Sequence, residues 1–215
     1  MTRPAVAQAT STGAALGHLH VALTNFAEVR ANSLGIDAWR PLADRCPADE
    51  LERIAPGLTD RITAECDFVE THWPDRLPVS AIHADLFPDN VLMLGNQVTG
   101  LIDFYFACTE VRGFDLAVAH SAWAFSADGS TFSPDVSAAL LQGYLHAFPL
   151  DVPTRDAMPV LMRGAALRFL LTRCYDWINT PASALVTRKD PLAFLRRLEF
   201  YSDDANVAAI MGQLN

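Results

Sequence analysis

His83-Ala84-Asp85-Leu86-Phe87-Pro88-Asp89-Asn90-Val91-Leu92 and, shortly after it, Gly100-Leu101-Ile102-Asp103-Phe104 carry more information than any other part of the chain. The runs Val79 to Ile82, Val91 to Leu94 and Val98 to Phe104 are short and apolar, and Gly95-Asn96 is a tight-turn signal between the last two. Together they predict a β-hairpin preceded by a loop. An acid, an Asn five residues on and a second acid at a strand end suit phosphoryl transfer from a metal nucleotide. One carboxylate accepts the hydroxyl proton of the substrate, while an amide oxygen and the second carboxylate hold Mg²⁺ against the phosphates. Read without context, Asp85 and Asn90 serve equally well as turn-formers, Asp103 as a strand-end cap, and Asp89 as a solvent-facing turn residue.

Helical spacing surrounds this segment on both sides. Upstream, Leu16, Leu19, His20, Leu23 and Phe26 or Ala27 recur at helical steps from Thr12, with His20 as a packed structural histidine on the apolar stripe. The stretch from Asn32 to Pro47 reads as a loop because of Gly35, Pro41 and Pro47. Pro56 then opens a helix whose buried face is Leu58, Ile62, Cys66, Val69 and Trp73, and Pro74 stops it. Downstream, helices are predicted from Asp115 to Phe125, from the Ser133 cap to about Phe148, from Thr154 or Asp156 through Tyr175, and from Asp190-Pro191 to Tyr201. The count is about six helices around one small hairpin.

Composition narrows the partners. The 215 residues are 51% hydrophobic and carry 16 basic against 25 acidic side chains, a formal net charge of −9. That is enough apolar material for one globular core and the wrong sign for binding nucleic acid through its phosphates. No apolar run approaches the length of a membrane span and the first residues lack the apolar region of a signal peptide, so a cytoplasmic protein is expected. Cys46, Cys66, Cys108 and Cys174 lie far apart, which suits reduced, buried thiols rather than a disulfide framework or a zinc site. All basic residues but Lys189 are arginines.

The order His-x-Asp-x-x-x-x-Asn, then Asp-Phe, resembles the protein-kinase catalytic loop and its metal-binding Asp-Phe-Gly, with Tyr105 in place of the Gly. The chain looks closer to the small-molecule kinases of the aminoglycoside-phosphotransferase superfamily, whose motif is H-G-D-x-x-x-x-N followed by I-D-[FW]. Within that superfamily it most resembles the homoserine kinase branch. Ile102 to Cys108, Phe114-Asp115-Leu116-Ala117, Trp123 to Phe125, Arg163 to Asp176 and Lys189-Asp190-Pro191 carry the likeness from about Thr12 to Tyr201.

The resemblance implies an α+β fold, mainly α with a small β-hairpin: a protein-kinase-like large C-terminal lobe with the small N-terminal lobe absent. Residues 1–11 read as a disordered or frayed leader and 12–215 as the lobe, with the catalytic loop and metal-binding hairpin at 79–106. It also implies ATP as co-substrate, Asp85 as general base, Asn90 and Asp103 as Mg²⁺ ligands, and His83 and Asp115 as loop braces, Asp115 doubling as a helix N-cap. Homoserine carries an α-carboxylate and an α-ammonium. Arg168 and Arg173 are candidates for the first, and Asp176, Tyr105, Trp123 and Trp177 for the second.

Neither a phosphate-covering Gly-rich loop nor an upstream strand lysine is present, so the chain reads as the large lobe alone: a domain fragment, a truncated gene product, or one half of a split kinase whose missing lobe another chain supplies. Apolar surface where that lobe docks is expected to invite self-association. The alternatives are a kinase of this fold for choline, an aminoglycoside or another small alcohol, a catalytically incomplete binding module, and, weakly, a metallohydrolase. The arginines from Arg163 to Arg173 count against an aminoglycoside pocket, and the six histidines show no ligand spacing.

Overall fold

A computed structural model describes residues 4–181, 184–185 and 187–214. Among them the chain forms α1 (Val6–Ala22), α2 (Ile36–Asp44), α3 (Ala48–Ile54), α4 (Leu58–His72), β1 (Val79–Ile82), β2 (Val91–Leu94), β3 (Gln97–Leu101) and β4 (Cys108–Val111). Then follow α5 (Arg112–Trp123), α6 (Pro134–Ala147), α7 (Val152–Asn179), α8 (Leu192–Tyr201) and α9 (Asp204–Met211). The mainly helical α+β class expected from the sequence is the one observed.

The long α7 organises the core. It packs on α2, α4, α5, α8 and α9, and Met158, Leu161, Met162, Ala165, Leu167, Leu170 and Leu171 are buried along it. Asp151 caps it by accepting the Thr154 N–H at 2.9 Å, so the helix starts earlier than Thr154. Pro159 sits inside it, where burial on several sides outweighs the lost backbone hydrogen bond. The contact of α1 with α6 is the most extensive between helices of the described residues. A Cβ on Gly13 would lie 2.0 Å from the Leu140 carbonyl oxygen, so only glycine permits the approach. This is the role of a glycine that forms no phosphate loop.

Several boundaries differ from expectation. The first helix begins at Val6, not Thr12, so most of the supposed leader is helical; residues 1–3 lie outside the described residues. Its inner face seats Ala9 and Thr12 in the core, which no frayed segment would do. The supposed loop from Asn32 to Pro47 contains α2 and is followed by α3. Tertiary packing overrides Pro41 there: Trp39 is buried against Trp73 at 5.1 Å between ring centroids, in space left by Gly164 of α7, and donates its indole N–H to the Leu34 carbonyl. The fifth helix starts at Arg112, so Asp115 lies within its first turns and Val111, not Asp115, is the N-cap. Helices number nine among the described residues rather than about six, and β4 was not anticipated as a strand.

The strands form two antiparallel pairs. β2 and β3 make the expected hairpin through Gly95-Asn96, pairing Val91 with Leu101 and Leu94 with Gln97. β1 pairs with β4, Ile82 opposite Cys108 and Val79 opposite Val111. The hairpin is thus inserted between β1 and β4. Its two connections, residues 83–90 and 102–107, leave adjacent strand ends side by side, and the Ile102 N–H donates to the Asn90 carbonyl at 3.0 Å to join them.

Candidate active site

The outgoing connection is held by a buried carboxylate. Asp115 is fully buried on α5, where Oδ2 accepts the His83 backbone N–H at 2.9 Å and Oδ1 the Ala84 N–H at 2.7 Å. From α1, His20 Nε2 donates to the same Oδ2 at 3.0 Å, and the Tyr144 hydroxyl donates to His20 Nδ1 at 2.7 Å. Burial pushes the Asp115 carboxyl up, but these N–H donors and the neighbouring imidazoles outweigh it and hold the group below the usual carboxylate range. The packed, structural reading of His20 is the observed one. Ala84 adopts the left-handed conformation, φ 62°, an unusual state for a residue with a Cβ.

His83 bridges the two connections. Its Nε2–H donates to the Ile102 carbonyl at 2.9 Å, and its Nδ1 accepts the Asp85 N–H at 3.2 Å. Both nitrogens are spent on backbone, an arrangement that braces the loop and leaves no proton to give. Asp85 follows, half-buried. Burial pushes its carboxyl up, against the pull of Arg168, His83 and Lys189. Asn90, at the end of a 3-10 turn from Pro88, donates its amide N–H to the Asp85 carbonyl at 2.8 Å and to Asp85 Oδ2 at 3.3 Å. Its amide oxygen has no hydrogen-bond partner among the described residues.

Asp103 ends the returning strand in a left-handed conformation, φ 62°, its exposed carboxylate making no hydrogen bond among the described residues. The oxygens of Asn90 and Asp103 are hard donors of the kind Mg²⁺ takes, and Mg²⁺ is commonly held by one or two side chains plus nucleotide phosphates. No larger group of His, Cys, Asp and Glu that could hold a metal gathers among the described residues. The donor set therefore fits a phosphate-bound Mg²⁺ rather than a metal caged by protein alone.

A cleft of about 390 Å³ opens beside Asp85, walled by Phe87 from the loop, Arg168, Arg173 and Asp176 from α7, and Lys189 from the segment before α8. Phe169, Thr172, Arg173 and Asp176 recur at the three- and four-residue steps of one helix face. This spacing is a signal the sequence carried for Phe169 and Thr172, which sequence reasoning missed. Lys189 and Phe87, also missed, carry no local signal because distant segments bring them together.

The structure brings Asp85, Arg168, Arg173 and Asp176 to one cleft but sends the three candidate aromatic residues elsewhere. Trp123 is buried and donates its indole N–H to the Leu86 carbonyl at 3.0 Å, bracing the loop from behind. Tyr105 points to solvent, 71% exposed, while its carbonyl accepts from Arg30. Trp177 lies outside the cleft wall with the Arg188 guanidinium over its ring at 4.7 Å. Arg168 lines the cleft yet is 2% exposed, its Nη1–H donating to the Ala84 carbonyl. Asp89 is exposed.

Residues 2–158 match the family model described as the phosphotransferase enzyme family, APH. The homoserine kinase of Zymomonas mobilis is 49% identical over 200 residues, covering 93% of this chain and 62% of its own length. That of Gluconobacter oxydans is 50% identical over 197 residues, covering 91% and 62% respectively. The chain therefore spans about three fifths of the length of these curated relatives. Among solved structures, a choline/ethanolamine kinase family protein from Mesorhizobium loti aligns with TM-score 0.64 at 17% identity, over 99% of this chain and 68% of that one. An amicoumacin kinase in complex with AMP-PNP, Ca²⁺ and Ami aligns with TM-score 0.63 at 14% identity, over 92% and 59%.

Proposed function

The chain belongs to the phosphotransferase enzyme family, and from that membership we propose that it carries the catalytic loop and acceptor pocket of an ATP-dependent L-homoserine kinase, giving O-phospho-L-homoserine. The observation that carries the reading is Asp85 in one cleft with the cations of α7 and Lys189, tied to Asn90, whose connection the Ile102 N–H joins to the one that carries Asp103. Asp85 accepts the proton of the side-chain hydroxyl as phosphorus is attacked. Its partial burial keeps it a better base than a solvated carboxylate. Asn90 Oδ1 and Asp103 hold Mg²⁺, which, when bound, neutralises the nucleotide phosphates.

The charge of the cleft supports an acceptor that bears an anion. Among the described residues, Arg168, Arg173, Arg188 and Lys189 line it against only Asp85 and Asp176. Arg173 and Lys189 take the α-carboxylate, and Asp176 the α-ammonium. A purely cationic acceptor such as choline meets an excess of like charge here, as an aminoglycoside does.

The test is homoserine-dependent ADP release from Mg-ATP. Asp85→Asn should retain nucleotide binding and lose about 10²- to 10⁴-fold in kcat. Asp103→Asn should instead lose Mg²⁺-dependent nucleotide affinity, measured by titration calorimetry. Normal turnover by Asp85→Asn would remove Asp85 from the role of base.

A further inference from the structure

Arg168 is the most buried of the described cleft cations, Arg173 being half-buried and Arg188 and Lys189 exposed. It is all but wholly buried, and among the described residues no carboxylate pairs with it at salt-bridge distance. Its Nη1–H donates to the carbonyl of Ala84, and its guanidinium lies 4.6 Å from the Phe169 ring centroid. Burying an arginine without an anion is costly, and it persists only where the geometry it enforces matters.

That geometry is the left-handed Ala84. Residues with a Cβ rarely enter this region, whereas glycine enters it freely. The sequence has Ala where the H-G-D pattern it resembles has Gly, so its loop must be held in place. Asp115 holds the Ala84 N–H, Arg168 holds the Ala84 carbonyl, and His83 Nδ1 accepts the N–H at the other end of the same Ala84–Asp85 peptide. Ala84 cannot relax to negative φ without breaking at least one of these bonds, and the side chain that such a movement re-aims is Asp85.

We propose that Arg168 is a positioning residue: it clamps the strained Ala84–Asp85 peptide so that the Asp85 carboxylate faces the cleft, and it leaves the substrate anion to Arg173 and Lys189. The clamp rests on the reading of Asp85 as base only for its effect on rate; its effect on the peptide does not. Two outcomes follow. Removing Arg168 should lower kcat while KM for homoserine stays nearly constant, and replacing Ala84 by Gly should compensate, because glycine needs no clamp to stay left-handed.

The experiment compares wild type, Arg168→Met, Arg168→Lys and the double variant Ala84→Gly/Arg168→Met in steady-state kinetics and in amide hydrogen exchange at Asp85. Arg168→Met should drop kcat by about 100-fold with KM changed less than about threefold, and Asp85 N–H exchange should accelerate by at least tenfold. Arg168→Lys, which keeps one donor for the Ala84 carbonyl, should recover part of both, and it carries the test should Arg168→Met not fold. The double variant should recover about tenfold in kcat. A large rise in KM with kcat preserved, or no effect of Ala84→Gly in the Arg168→Met background, would overturn the clamp in favour of a carboxylate ligand. Unchanged Asp85 exchange in a folded Arg168 variant overturns it too. Inactivity of the wild-type chain on homoserine would be traced to the two fifths of its relatives' length that it does not span, and the exchange data would still decide the clamp.

Discussion

Asp115 shows how one buried side chain governs a site it never enters. Its two oxygens take N–H groups from His83, Ala84 and His20, and only a charged carboxylate can accept all of them. Asp115→Asn keeps the shape but turns an amide N–H toward at least one of these donors. The variant should lose about 3 kcal/mol of stability, read from the urea midpoint, and should lower kcat as well because the loop it releases carries Asp85. Asp85, Asn90 and Asp103 stand out as candidates from spacing alone because the chemistry they suit demands those residue types at those intervals. Trp123 was misread for a related reason: a tryptophan near a motif looks the same in sequence whether its ring faces ligand or, as here, the back of the loop.

Elements are joined by buried polar chains as well as by apolar faces. His120 on α5 accepts the Tyr201 O–H of α8 at Nδ1, 2.7 Å, and donates Nε2–H to Ser137 of α6 at 2.8 Å, while Ser137 donates onward to Gln213. Burial pushes its imidazole down to about 3, so it stays neutral in the fold. The unfolded chain takes up a proton near the ordinary histidine value of about 6.5. Between those values the unfolded state binds a proton that the fold refuses, so stability falls as pH drops through this window. The loss from this group alone approaches roughly 4 to 5 kcal/mol at the acid end. Urea midpoints measured from pH 7 to pH 4 should decline less steeply in His120→Asn than in wild type. Helical periodicity revealed the buried faces of α4 and α7, but not α2, whose formation depends on Trp39 reaching Trp73 and Gly164 across the molecule.

At the scale of the whole molecule, α7 packs on α2 to α5 before it in the chain and on α8 and α9 after it, and no helix of the described residues is long and apolar enough to cross a membrane. Because Trp39 and Trp73 pack beside Gly164 of α7 and Trp123 lies on α5, which α7 also contacts, unfolding should be a single cooperative event. Far-UV circular dichroism and tryptophan fluorescence should give coincident thermal transitions. Two separated transitions would mean that the segment up to α4 and the strand region fold apart.

The amino-acid sequence by itself determined the catalytic-loop pattern, the Gly95-Asn96 hairpin, the amphipathic faces of α4 and α7, and the resemblance to one kinase family. All of these rest on residues a few positions apart, whose spacing is set by the helix and strand repeats or by one turn. The tertiary structure alone decided that Ala84 is left-handed, that the buried Arg168 donates to the Ala84 carbonyl from the wall of the cleft it shares with Arg173 and Lys189, that β1 finds β4, and that Tyr105 and Trp177 stand outside the pocket. Those outcomes depend on groups remote in sequence: Arg168 meets the Ala84 carbonyl 84 residues away, and only the packed helices settle which buried hydrogen bond each side chain makes.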